Sequence, residues 1–278
     1  MGAEIVAAGL ALCEATLDLL EGPRAVKARA IGKHVKTLRR VLRTRWTQQR
    51  GILSAKASKP IRDLFRKVEA ARTEEEKDRH RELLVLALAA ILAAWALAKA
   101  GQVDDGDAED WDSATAATLI AAAEKLAREF GSVSSIDADA AAVRRFLDSH
   151  SYRTIISGID ETTQSRLASA VADVLERGGD YREAADAISG EFDDFLSSRM
   201  LTISVFELNA AYNAGRLAEA RELGIGGKYW DPDGEACDIC IENADAGIIP
   251  MDDDFPNGVD APPQHPNCDC VLMVEPLE

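Results

Sequence analysis

Five residues near the C-terminus constrain this chain more than any other feature: Cys237, Cys240, His265, Cys268 and Cys270. Their spacing is C-x2-C, then 24 residues, then H-x2-C-x-C. Thiolate and imidazole are the ligands Zn²⁺ prefers, and two knuckle-like pairs joined by a loop assemble a tetrahedral site without a large core. The remaining cysteine, Cys13, sits in an apolar N-terminal stretch, where a buried inert thiol is the expected role.

The segment holding the cluster needs such a staple. From Tyr229 onward helix formers are scarce, and five of the nine prolines lie beyond Pro250. The short apolar runs predict strands near 228–230, 247–251 and 270–274, a sheet too small to bury a core alone. A structural ion would supply the missing stabilisation.

The rest of the chain reads as helix. Alanine and leucine outnumber β-branched and aromatic residues, so the expected fold class is mostly α, with a small C-terminal β lobe stapled by the Cys/His cluster. The expected division is a helical N-terminal region, 1–131, and a second domain, 132–278, whose β lobe is 229–278. Glycine and proline signals place helices over 1–21, after Pro60, 83–98, 113–130, 138–147, 161–177, 180–188 and 192–223, with a break at Gly190. Thr73 and Glu76 form a capping-box pattern. The run 83–98 is too short and too alanine-rich for a membrane span and is expected to be a buried helix. The acidic stretch 104–112 lacks the EF-hand register and reads as a solvated connector and helix start. Residues 1–20 carry no basic leader and include Glu4, Glu14 and Asp18, so no signal peptide is expected. Folding in a reducing cytosol makes metal ligation the commoner use of clustered cysteines.

The net charge of −16 conceals a sharp asymmetry. Residues 23–67 hold 15 Lys and Arg against the single Asp63, while 229–278 hold 13 acidic residues and no Lys or Arg. Ile31, Val35, Leu38, Leu42 and Trp46 recur at helical spacing, with Lys33, Lys36, Arg39, Arg40, Arg43 and Arg45 largely on other faces. Such a cationic amphipathic helix suits nucleic acid phosphates, an acidic protein or an anionic membrane, or is simply the solvated face of a bundle.

Within the long C-terminal helix, Asn209 and Asn213 share a face, being four residues apart, whereas Glu207 does not share one with Asn213. The three are candidates for an interaction helix, as a hydrogen-bonding ridge against the lobe or a neighbour. Trp230 is expected in the lobe core.

Trp230, Asp233, Cys237-x2-Cys240, Gly247, the run Phe255-Pro256-Asn257-Gly258 and the run Pro262-Pro263-Gln264-His265-Pro266-Asn267-Cys268-Asp269-Cys270 resemble the C-terminal signature of the phage Mu F-like minor head proteins, the head-morphogenesis family of tailed phages. The helix 207–216 is similar to the family's helix preceding the tryptophan. The resemblance spans about 151–274. Two positions depart from it: Asp269 stands where the family usually has Arg, and Phe206 where it usually has Thr. It implies a structural, non-enzymatic minor capsid protein associated with the portal and head interior, acting in head assembly or in packaging or ejection of DNA. The expected partners are the portal protein and other head proteins, with packaged double-stranded DNA at the basic arm and no membrane. The expected location is the host cytoplasm during assembly, then the virion.

For the cluster, a structural zinc site, a disulfide-bonded or metal-free arrangement, and a catalytic metal all remain open. The expected ligands are Cys237, Cys240, His265 and Cys268, with Cys270 as alternative. The competing functional class is a zinc-dependent enzyme or toxin-like transferase. The sequence has no HExxH, nucleophile elbow or phosphate-cradling glycine motif to support it.

Overall fold

The computed structural model describes residues 23–80, 105–150 and 152–277. The expected apolar helices over 1–21 and 83–98, and Cys13, lie outside the described residues. The described chain is mostly helical, with a three-stranded antiparallel sheet near its C-terminus. Two compact units divide the described residues, one from those up to Leu38, 112–149 and 202–277, the other from those of 39–111 and 150–201 that are described. Each is assembled from separate stretches, because long helices contribute residues to both.

The first helix, α1 (Pro23–Ala70), is continuous for 48 residues. The sequence predicts an interruption at Pro60, and the helix instead runs through it. Proline removes one backbone hydrogen bond, a local loss that a helix anchored on either side tolerates. In the unit built from 39–111 and 150–201, α1 buries Val41, Leu42, Trp46 and Phe65. Trp46 stacks on Phe195 with ring centroids 3.8 Å apart and meets Phe192 at 5.8 Å. The nearly buried Arg45 pairs with Asp160 at 3.1 Å, and Arg50 with Asp193 at 2.8 Å. Beyond α1, the capping box forms as expected: Thr73 Oγ accepts from Glu76 N–H at 3.1 Å, and the Glu76 carboxylate accepts from Arg72 N–H.

The same unit holds α4 (Tyr152–Glu176) and α5 (Tyr181–Asp194). Helix α4 starts nine residues before the expected 161. Asp180 caps α5 as the sequence predicts, accepting from the N–H groups of Arg182 and Glu183. The expected break at Gly190 does not occur. Interior glycine costs only about 1 kcal/mol, and burial of Phe192 and Phe195 just beyond it outweighs that. A single π turn, Phe195–Arg199, leads into α6 (Met200–Glu222).

The other unit carries the lobe. Its helices include the start of α1, the C-terminal part of α2 (Asp105–Glu129), α3 (Ala141–Ser149) and nearly all of α6. The acidic residues Asp105 and Asp107 form the first turn of α2, where they complement the helix dipole. Leu119, Ala123, Ile136, Val143, Phe146 and Ala211 make one apolar cluster. Just beyond the end of α6, Gly224 has a φ of 68°, the left-handed conformation that turns the chain into the lobe.

Strands β1 (Gly227–Asp231), β2 (Ile249–Pro250) and β3 (Val271–Glu275) form a sheet in the order β2-β1-β3. Between β1 and β2 lies the short helix α7 (Asp238–Asp245). All three strands fall where the alternation of short apolar runs and turns predicts them. β1 pairs along its full length with β3, from Gly227 opposite Glu275 to Asp231 opposite Val271.

Candidate metal centre

Local structure brings the cluster together from two knuckles. Cys237 stands at the N-cap of α7 in extended conformation, and its carbonyl accepts from Ile241 N–H at 2.9 Å. Cys240 therefore falls in the first turn, beside Cys237. The second knuckle is the run from Pro262 to Cys270, which includes a cis Pro262–Pro263 bond. Asn267 adopts φ 64°, which asparagine tolerates better than most residues, and Cys268 N–H reaches the His265 carbonyl at 3.2 Å. That turn puts His265 and Cys268 on one side.

The ligand atoms converge. His265 Nε2 lies 3.1 Å from Cys237 Sγ and 3.2 Å from Cys240 Sγ, and Cys240 Sγ lies 3.7 Å from Cys268 Sγ. Zinc–sulfur bonds of about 2.3 Å and zinc–nitrogen bonds of about 2.0 Å in a tetrahedron set ligands roughly 3.5–3.8 Å apart. The sulfur pair matches this edge, and the sulfur–nitrogen pairs need to open by a few tenths of an ångström. Cys237, Cys240 and His265 form one group within 4.8 Å, and Cys240, Cys268 and Cys270 form another, so Cys240 belongs to both.

The histidine presents Nε2 to the sulfurs. Its Nδ1 lies 2.8 Å from the Pro266 carbonyl, an acceptor, so Nδ1 carries the proton and Nε2 turns its lone pair to the sulfurs. The loop that aims it is braced by amides: the Asn243 side-chain NH₂ donates to Gln264 Oε1 at 2.8 Å, Asn257 N–H donates to Asn243 Oδ1, and the Gln264 NH₂ donates to the Asn257 carbonyl.

As bare thiols the group is electrostatically divided. Burial pushes Cys240 up to about 12. Contact with Cys270, and then burial, raises Cys268. Backbone N–H groups of α7, led by Cys240, lower Cys237. A divalent cation would stabilise all coordinating thiolates at once.

The lobe core packs directly behind the sulfurs. Trp230 is buried with its ring edge against Phe255, 5.1 Å between centroids, and both share one apolar cluster with Cys240, Cys268, Cys270 and Leu272. Helix α6 holds this lobe by hydrogen bonds. Asn209 donates to the Cys268 carbonyl at 3.1 Å, and Asn213 Oδ1 accepts from Leu272 N–H at 2.8 Å. These two asparagines, four residues apart on α6, both face the lobe. Glu207 is buried as well, but its Oε2 has no hydrogen-bond partner among the described residues.

Three features escape sequence reasoning. Arg216 donates to the Leu272 carbonyl and to Glu129, an arrangement with no sequence signal beyond the basic residue itself. The amide brace uses Asn257 and Gln264, which lie inside the recognisable signature, and Asn243, which does not. Lys27, one of 15 cations in its segment, is fully buried against the ligand run.

The six cations named in the basic arm divide. Lys33, Lys36, Arg40 and Arg43 are exposed along one helical stripe at spacings of three and four, opposite Leu38, Leu42 and Trp46. Arg40 pairs with Asp110. Arg39 is half-buried, and Arg45 is taken up by Asp160. No helix among the described residues is long and apolar enough to cross a membrane.

Residues 165–273 match the family model described as Phage Mu protein F like protein. No curated protein and no solved structure matches the chain.

Proposed function

From the match of residues 165–273 to the family model of Phage Mu protein F like proteins, we propose that the chain is a minor structural protein of a tailed-phage head whose C-terminal lobe is stapled by zinc. The observation that carries this reading is that the matched segment contains all five Cys/His residues, whose ligand atoms form two overlapping groups, each within 4.8 Å, that share Cys240. Cys237, Cys240 and His265 would hold the ion with Cys268, or with Cys270 in its place. Thiolates dominate the set, and four protein ligands close a tetrahedral shell, which suits a staple rather than an active centre with an open position. We read the protein as non-enzymatic on that ground.

The two ends divide the contacts. The acidic lobe repels phosphate, so its surface suits other head proteins, the portal among them. The exposed stripe of Lys33, Lys36, Arg40 and Arg43 suits packaged double-stranded DNA. The protein would assemble in the host cytoplasm and remain in the virion.

Elemental analysis of the purified chain and of isolated heads tests the staple, with one zinc per chain expected and none refuting it. Duplex binding by the purified chain, measured from low to high salt, tests the stripe. Affinity should fall steeply with salt and be lost when Lys33, Lys36 and Arg43 become Glu. Binding that is absent in the wild type, or unchanged by those substitutions, would exclude a DNA role for this face.

A further inference from the structure

We propose that Lys27 is the charge-compensating and positioning residue of the Cys/His centre, so that ion binding in the lobe and seating of the start of α1 form one coupled equilibrium. This inference rests on the zinc reading above.

The cations of α1 are mostly solvent-facing or paired with acids of other helices, and Lys27 is neither exposed nor distant from the cluster: its side chain is 0% exposed. Its ammonium meets three acceptors, Asp269 Oδ1 at 2.6 Å, the Asp269 carbonyl at 2.8 Å and the Cys270 carbonyl at 3.1 Å. An ammonium has three donors, so Lys27 is fully satisfied. All three acceptors come from the two residues that follow Cys268, one of which is Cys270 itself. Fixing those carbonyls fixes where both sulfurs point.

Charge gives the second argument. A buried ammonium needs opposite charge close by, and the Asp269 side chain that supplies it is half exposed to water. Cys268 and Cys270 are near enough for their charge to act on Lys27. Three thiolates and one imidazole around Zn²⁺ leave one net negative charge, which the buried ammonium nearby would stabilise in addition to its pairing with Asp269.

The contact is also bidentate at the level of the helix. Arg24, one turn before Lys27, binds Asp231 at 3.2 Å and the Pro232 carbonyl. Asp231 is the register partner of Val271, so Arg24 and Lys27 clamp the same end of the β1–β3 ladder, where the ligand run enters the sheet. Anything that orders that end seats the helix, and by reciprocity the seated helix favours the ion.

The test uses the full chain, with Co²⁺ absorption as a probe of ligand geometry and chelator competition for Zn²⁺ affinity. Lys27→Met, of similar length but uncharged, should lower zinc affinity about 10–100-fold and alter the Co²⁺ bands. Lys27→Arg should recover part of the loss. Asp269→Asn should cost less, because both backbone carbonyls remain. In wild-type protein, zinc should increase hydrogen-exchange protection of amides 24–31, and that increase should vanish in Lys27→Met. Wild-type protein that binds neither ion overturns the zinc reading and this inference with it. Wild-type binding with unchanged affinity in Lys27→Met, or with no zinc-dependent protection of 24–31 in the wild type, overturns this inference alone. The wild-type exchange measurement decides the matter even if the Met variant does not fold.

Discussion

Gly215 and Leu119 sit so close that a Cβ built on the glycine would lie 2.1 Å from the Leu119 carbonyl oxygen. The obstacle is backbone on a neighbouring helix, which a rotamer change cannot relieve. Helices α2 and α6 approach at this point, one residue before Arg216, which binds β3. Gly215→Ala should therefore destabilise this unit by about 1–3 kcal/mol or more, through separation of the two helices. Thermal or urea unfolding checks it, and an unchanged midpoint would contradict the close approach.

Asn213 makes a different kind of contact. Its Oδ1 accepts the buried Leu272 N–H, and its NH₂ donates to the Asn209 carbonyl. Asn213→Leu leaves the strand donor without a partner, at a cost of about 1–3 kcal/mol. Urea unfolding should show the loss, and amide exchange at Leu272 should rise.

The candidate ligands should be separable by substitution. Cys240 belongs to both sulfur groups, so Cys240→Ser should abolish zinc binding outright. Of Cys268→Ser and Cys270→Ser, one should bind far more weakly and the other should stay near wild type. Zinc titration of the three variants reports it, and full binding by Cys240→Ser would refute the assignment.

Glu207 should give stability a pH dependence of its own. Burial raises its carboxyl from an ordinary value near 4.5 to about 8. The folded state then holds the proton more tightly than the unfolded state does. The stabilising contribution is complete below about pH 4.5 and is lost as pH rises through about 8. Glu207→Gln should match wild type at pH 4 and exceed it at pH 9, by an amount on the order of a few kcal/mol. Urea midpoints at the two pH values test this, and parallel pH slopes for the two proteins would sink it.

Much of this was legible in the residues alone. The spacing of Cys237, Cys240, His265 and Cys268 announced a convergent cluster, because each knuckle is a local structure whose turn residues lie beside its ligands. The strands were legible for the same reason, and so was the Asp180 cap. Pro60 and Gly190 misled, since a residue's local preference is about 1–3 kcal/mol and the burial of Trp46, Phe192 and Phe195 competes with it.

The amino-acid sequence by itself determined the helical class, the small sheet, the split of charge and the presence of a Cys/His cluster, all of which depend on neighbours within a few residues or on composition. Only the tertiary structure decided which cations remain in water, that Lys27 lies against the ligand run more than two hundred residues away, and that Asn213 and Arg216 hold β3. Those contacts join distant stretches, and no local pattern distinguishes a buried lysine from the fourteen other basic residues of its segment. Burial, a property of the packed chain, separates them.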